Sequence, residues 1–436
     1  MIDNQSQLGT LTVNLDNVDA SKAGGIIISE GNSGSTNVAV SGGTSIVGDV
    51  TNNGGGSLGL NLDNAILAGS INNTGAGSTQ LELDNNATWN VTDDSQVTTV
   101  SFNESTLNIA ADKTIRAESF AIGSDTTLNI TGYDYGSYSS GASPMTVINA
   151  NTLTGNPGDM SIALDGNLLV SSGSILDPEN YLDFSAQRDS NNNLLLNSTL
   201  AWNRTNDAHG AFNLANASDS FTVDADLADN LASTHYNGWD GKSLTKTGAG
   251  TLTLSGANTY TGNTTIADGT LEVTGTLGNG SYAGTIANAG TLLFNQSADQ
   301  TLSGLLSRTG TLTKDGAGTL ILTADNIYTG LTTISDGTLQ IGDGGTSGRL
   351  IGDIAINNNA ELIFNRTDVP AFIRFFESHL PYLLWQLRSP HLQPPHREVE
   401  QYDDRTLHWL QLQTDSKLVT LLPNKLGNYI KTGEIL

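Results

Sequence analysis

The stretch Leu244–Val273, LTKTGAGTLTLSGANTYTGNTTIADGTLEV, returns 68 residues later as Leu312–Ile341, LTKDGAGTLILTADNIYTGLTTISDGTLQI, with twenty of the thirty aligned positions identical. A shorter unit runs through and between the copies. Gly-Thr-Leu stands at Gly250, Gly269, Gly290, Gly310, Gly318 and Gly337, and four of the five steps along that series are 19 to 21 residues. A fixed period of about 20 residues marks a solenoid.

The chemistry of one unit explains why it must stack. In Gly269-Thr270-Leu271-Glu272-Val273 the side chains alternate, so Leu271 and Val273 share one face of a strand while Thr270 and Glu272 take the other. Two or three buried side chains cannot offset the conformational entropy of ordering a whole rung. Stacked rungs form one continuous apolar core, with each strand bonded to those above and below. The sequence therefore predicts an all-β chain folded as a parallel β-helix, with Asp268-Gly269, Ala289-Gly290 and Asp336-Gly337 at corners. Strands are expected at Thr251–Leu254, Thr270–Val273, Thr291–Phe294 and Thr338–Ile341, stacked with Leu252, Leu271, Val273, Leu292, Phe294 and Leu339 inward.

The same rhythm is fainter upstream. Leu60-Asn61-Leu62-Asp63-Asn64 recurs as Leu81-Glu82-Leu83-Asp84-Asn85, and Thr106-Leu107-Asn108-Ile109 as Thr127-Leu128-Asn129-Ile130, both at a spacing of 21. Residues 133–143, 155–165 and 185–193 read as loops that interrupt it. Alternation resumes at Leu194-Leu195-Leu196 and Phe221-Thr222-Val223. After Ala360-Glu361-Leu362-Ile363-Phe364-Asn365 the repeats stop. From Val369 onward the chain holds 6 of its 9 Pro, 4 of its 6 His and 2 of its 49 Gly. The expected organisation is a β-helix over 1–368 and an irregular tail over 369–436 of the kind an out-of-frame or junctional end would give, with Pro381, Pro390, Pro394 and Pro395 opposing regular structure there. Deleting the tail is expected to leave unfolding of the remainder almost unchanged.

Across 436 residues the net charge is −26. Residues 1–368 carry 11 Lys/Arg against 37 Asp/Glu, whereas 369–436 carry 7 of each. A body this acidic repels phosphate backbones, so no nucleic-acid partner is expected. The absence of Cys removes disulfides, thiol catalysis and Cys-based metal sites. The start, MIDNQSQLGTLTVNLDN, has neither the basic nor the apolar region of a secretory signal, and no transmembrane helix is read anywhere.

The block holding Lys246, Gly248, Gly250, Tyr260, Thr261, Gly262, Asp268 and Gly269 resembles the autotransporter-associated β-strand repeat of bacterial type V secreted passengers, especially the AIDA-like adhesins. The weaker Leu-Asp-Asn and Thr-Leu-Asn-Ile rungs are similar to the upstream helix of that family, so the resemblance spans roughly 1–368. It implies a right-handed β-helix displayed at the cell surface or outer membrane and acting in adhesion, autoaggregation or biofilm formation. It also implies partners among host or bacterial surface molecules, copies of the chain included. Against the family pattern, neither a signal peptide nor a translocating β-barrel is expected within these 436 residues.

No catalytic, cofactor-binding or metal residues are expected. Gly31-Asn32-Ser33-Gly34-Ser35 resembles a serine-protease nucleophile loop, but the first His, His209, comes after it and no Gly-x-Ser-x-Gly elbow exists. Asp224, Asp226 and Asp229 offer oxygen ligands without the Gly and terminal Glu of a calcium loop. Gly278-x-Gly280-x-x-x-Gly284 precedes an alternating strand pattern rather than a helix and reads as a corner. His379, His391, His396 and His408 lack metal-ligand spacing. Thr-x-Thr at Thr10, Thr251 and Thr311 looks too scattered for an ice-binding face. Three functions fit the chain: a non-enzymatic adhesin, a polysaccharide lyase or hydrolase on a β-helix scaffold, and the inactive product of a disrupted gene. The scarcity of basic residues beside carboxylates disfavours the enzyme.

Overall fold

The computed structural model describes residues 9–20, 26–28, 34–140, 142–171, 174–175, 180–232, 234–357, 360–367, 411–414 and 417–422. They form strands, turns and five single-turn 3-10 segments, organised into two compact units. No helix among the described residues is long and apolar enough to cross a membrane.

In the unit holding residues 1–137 and 141–200, two parallel stacks carry the fold. The first runs Thr10–Asp16, Ser35–Ser41, Ser57–Asp63, Ser78–Asp84, Ser95–Phe102, Ile115–Ile122 and Met145–Thr154. The second runs Asp19–Ala20, Ser45–Val47, Ile66–Ala68, Thr88–Val91, Thr106–Ala110, Thr127–Thr131 and Ser161–Leu164. Strands at Ile26–Ile28, Val50–Asn52 and Ile71–Asn73 form a parallel branch that joins the first stack at Gln96. Leu81 lies beside Leu60, and Leu128 beside Leu107, so the 21-residue recurrences are adjacent rungs in register.

Both stacks then change character. Leu194–Leu200 and Leu182–Arg188 close the first as antiparallel strands, and Asn167–Ser171 with Ser174–Ile175 closes the second the same way. Residues 185–188 are thus strand rather than loop, and the loop proper is the turn at 189–193. There the Asp189 carboxylate accepts from the backbone N–H groups of Asn191 and Asn193 and from Asn193 Nδ2, each at 2.8 Å. The bond from Asn193 N–H leads in holding its pKa below the ordinary carboxylate value.

The unit formed by Tyr138–Ser140 and 201–436 has three parallel faces. Face I stacks Ala211–Asn213, Leu244–Thr247, Thr264–Ile266, Ile286–Asn288 and Leu306–Ser307. Face II stacks Ser220–Val223, Thr251–Leu254, Thr270–Val273, Thr291–Phe294, Thr311–Lys314, Thr332–Ile334 and Ile354–Ile356. Face III stacks Ser281–Tyr282, Gln300–Leu302, Thr319–Leu322, Thr338–Ile341 and Glu361–Asn365. Leu252, Leu271, Val273, Leu292, Phe294 and Leu339 are all buried, as the alternation predicts.

The placement of the second repeat differs from a simple stack. Thr338–Ile341 lies on face III, next to the face that holds Thr251, Thr270 and Thr291. Three rungs carry face II from Thr251 to Thr311, and the eight residues from Thr311 to Thr319 step to face III. The second copy is therefore turned by one face, which accounts for the short step between Gly310 and Gly318.

Two tail segments are regular. Lys417–Leu422 adds in parallel to Glu361–Asn365, and Gln411–Thr414 pairs antiparallel to it. An open edge presents unpaired N–H and C=O groups that accept a strand of almost any sequence, which composition does not reveal. Pro381, Pro390, Pro394, Pro395 and the four tail histidines lie outside the described residues.

Candidate interaction surface

The recurring residues of the 30-residue repeat face inward and wire rungs together. Lys246 and Lys314 occupy equivalent places in the two copies, with almost no accessible surface. Lys246 Nζ donates to the carbonyls of Thr247 (2.8 Å) and Gly248 (2.7 Å) on its own corner and Asp268 (3.3 Å) on the next. Lys314 Nζ donates likewise to Gly316 and, at 3.3 Å, to Asp336. Burial pulls both ammonium groups below the ordinary lysine pKa, and the carboxylates of Asp268 and Asp336 pull the other way.

The tyrosines and corner glycines have the same kind of task. Tyr260 and Tyr328 are buried, with hydroxyls 2.8 Å from Thr264 Oγ1 and 2.5 Å from Thr332 Oγ1. Gly269 and Gly337 have φ of +63° and +64°, and a Cβ on either would lie 2.4 or 2.3 Å from a carbonyl oxygen of the preceding rung. The repeat thus fixes architecture whichever face it occupies, and recognition falls to the outward side chains.

Outward positions form columns, because strand stacking repeats each about every 4.8 Å. On the second stack of the first unit, one column reads Ser45, Ile66, Thr88, Thr106, Thr127 and the other Val47, Ala68, Asn90, Asn108, Asn129. None of these ten is charged, in a protein of net charge −26. The Asn column is bonded along its length. Asn108 Nδ2 donates to Asn90 Oδ1 (2.5 Å), and Asn129 Nδ2 to Asn108 Oδ1 (2.9 Å).

Face II carries Ser220, Thr251, Thr270, Thr291 and Thr311 in one unbroken column, so the threonines are less scattered than the sequence suggests. Its neighbour, Thr222, Thr253, Glu272, Leu293, Thr313 and Thr333, is broken by Glu272 and Leu293. That break denies ordered water a two-column threonine lattice.

The chemical candidates do not converge. Gly31, Asn32 and Ser33 lie outside the described residues, and Ser35 opens a strand with its Oγ 3.0 Å from Thr10 Oγ1. His209 is buried, its Nδ1 accepting from Ala211 N–H at 3.1 Å. The three aspartates each cap a different segment. Asp224 accepts from Ser139 Oγ and Ser140 N–H, Asp226 from Ala257 N–H, and Asp229 from the N–H and Oγ1 of Thr261. Gly278–Gly280 is a 3-10 turn leading into Ser281–Tyr282, a corner as expected.

Neither periodicity nor any motif marks the aromatic cluster within residues 201–243, where Trp202, His209, His235, Tyr236 and Trp239 gather. A signal was present in the spacing. Ser220 lies beside Thr251, 31 positions on, while the next rung on that face takes 19.

The family model of the passenger-associated transport repeat matches residues 244–273 and 312–341. The adhesin BmaC autotransporter of Brucella suis biovar 1 (strain 1330) is 43% identical over 90 residues, a match covering 20% of this chain and 2% of that much longer relative. The two transport repeats, set in a parallel β-helix, and the likeness to an autotransporter adhesin support an autotransporter passenger domain.

Proposed function

We propose that this chain is a segment of a cell-surface adhesin-like passenger that works by contact rather than catalysis, in adhesion, autoaggregation or biofilm formation. The observation that carries this reading is the division of labour within the rungs. The recurrent Lys, Tyr and Gly residues turn inward, and two outward columns, one of Asn90, Asn108 and Asn129 and one of Thr251, Thr270, Thr291 and Thr311, repeat neutral amides and hydroxyls. Each column offers a weak contact many times over on a rigid support, so binding strengthens by multivalency. The uncharged strands of the second stack between Ser45 and Thr131 suit approach to the negatively charged surfaces that an acidic protein otherwise repels. Its partners are surface molecules, second copies of the chain among them, and nucleic acid is not one. The likeness to an adhesin supports a non-enzymatic role.

The test is attachment of beads coated with the full chain to bacterial and epithelial surfaces and to each other, before and after Asn90→Asp, Asn108→Asp and Asn129→Asp are combined. Loss of attachment with an unchanged circular dichroism spectrum is expected. Undiminished attachment of the triple variant, or no attachment by the parent chain, overturns the reading.

A further inference from the structure

We propose that the loops within residues 201–243 that flank the rung strands Ala211–Asn213 and Ser220–Val223 form a second binding site, independent of the columns, which takes a neutral pyranose ring of a glycan. Among residues 201–365 every His and Trp falls within these loops, and none stands on the rungs from 244 to 365. Trp202 and Tyr260 are buried and serve the core. His235, Tyr236 and Trp239 remain half-exposed.

The loop is held firmly, so the platform is built before any ligand arrives. Asn230 Nδ2 donates to the carbonyls of Trp202 and Arg204, Trp239 Nε1 donates to Ser243 O at 2.6 Å, and the Asp240 carboxylate accepts from Lys242 N–H, Ser243 N–H and Ser243 Oγ. Trp239 meets Trp202 edge to face at 4.9 Å and His235 at 5.2 Å.

Two kinds of group are left for a ligand. The half-exposed rings of Tyr236 and Trp239 offer apolar area with a polar rim, the pairing that suits the alternately C–H and O–H faces of a sugar. Around them the exposed Asn237 and Asn206 bring side-chain amides, with Asn206 Oδ1 already accepting from Thr234 Oγ1 at 3.3 Å. Leu231, 94% exposed on a loop otherwise tied down, adds apolar area beside the same segment. The net charge of −26 selects against sialylated or sulfated chains and leaves neutral ones.

The experiment prints neutral and anionic oligosaccharides on one array, probes it with the full chain, and titrates the best neutral hit by calorimetry. Saturable binding to neutral hexose or N-acetylhexosamine chains is expected. Trp239→Ala should weaken it about tenfold or more and Trp239→Phe much less, since stacking is retained. Because Trp239→Ala also removes packing, Asn237→Gly at an exposed position, where glycine takes the φ of 51° freely, serves as the second variant and should weaken binding with little change in the unfolding midpoint. The triple Asn90, Asn108 and Asn129 variant should bind the sugar normally, so failure here and failure of the adhesion reading are distinguishable. No neutral hit, a preference for anionic chains, or full binding by both Trp239→Ala and Asn237→Gly overturns the proposal.

Discussion

The two units turn their corners by different chemistry. In the first, short polar side chains turn one set of corners, while Gly69, Gly75 and Gly77 press on the preceding rung at others. Asn17, Asn64 and Asn85 sit at φ of 52°, 50° and 48°, each after an aspartate, and the aspartates accept from neighbouring rungs: Asp63 from Asn85 Nδ2 (3.0 Å) and Asp84 from Asn103 Nδ2 (2.9 Å). In the second unit the corners use glycines pressed against the preceding backbone, with a buried lysine reaching across to the next corner. An exposed Asp–Asn corner tolerates Ser, Glu or Gly substitutes, as at Glu104 with φ of 45°. A buried lysine bonded to carbonyls of two successive corners tolerates none. The first unit has therefore kept only an echo of its repeat, whereas the second keeps twenty of thirty positions.

That contrast breaks first at the lysines. Lys246→Ala should orphan the carbonyls of Gly248 and Asp268 in a buried corner, while Thr247 O keeps the N–H of Leu214 at 3.1 Å, at a cost of about 3 kcal/mol, given about 1–3 kcal/mol for each unsatisfied group and partial rescue by water. Urea unfolding followed by hydrogen exchange at Thr264–Val273 would register it. A loss below about 1 kcal/mol would mean that the hook is dispensable.

Glycines come next. Gly269→Ala combines a left-handed φ with a Cβ 2.4 Å from Gly250 O, so about 3 kcal/mol is expected from strain and overpacking together. Gly43, at a corner of the first unit, has a φ of +78° and open space where a Cβ would stand, with no atom within 4 Å, so Gly43→Ala should cost only about 1–2 kcal/mol. Equal losses at the two positions would remove the distinction between crowded and open corners.

Alkaline pH should separate the units more gently. Burial raises the pKa of Tyr260, Tyr282 and Tyr328, with Tyr282 pushed up to about 12. Their neutral form is favoured by folding, so the stability they contribute is whole below about pH 10 and drains away as pH climbs toward the folded values. The buried lysines act in the opposite sense below their ordinary pKa, because the unfolded chain holds those protons longer. Midpoints measured from pH 8 to 12 should therefore fall mainly above pH 10, and Tyr260→Phe with Tyr328→Phe should flatten that fall. The smallest change is Asn64→Gly, expected to shift stability by a few tenths of a kcal/mol, since glycine takes φ of 50° freely and Asn64 turns an exposed corner. A loss above about 1 kcal/mol there would show that the polar corners are as exacting as the lysine ones.

The sequence by itself determined the rung. Alternation of Leu, Ile and Val with Thr is a property of each short strand, and the period near 20 is the length of one circuit, so both are legible without coordinates. The inward set Leu252, Leu271, Val273, Leu292, Phe294 and Leu339 follows from them. Tertiary structure decided what depends on sums along the chain or on neighbours distant in sequence. Which face a strand joins depends on the accumulated length of all preceding corners, so the second repeat landed one face over although its residues match the first. The unbroken threonine column on face II, the asparagine ladder Asn90–Asn108–Asn129 and the platform around Trp239 arise from register between rungs. The antiparallel closure of the first unit pairs Leu182–Arg188 with Leu194–Leu200, and backbone hydrogen bonding of that kind leaves little mark on side-chain pattern. Local periodicity fixes what a strand buries, whereas register fixes what the finished helix presents to a partner.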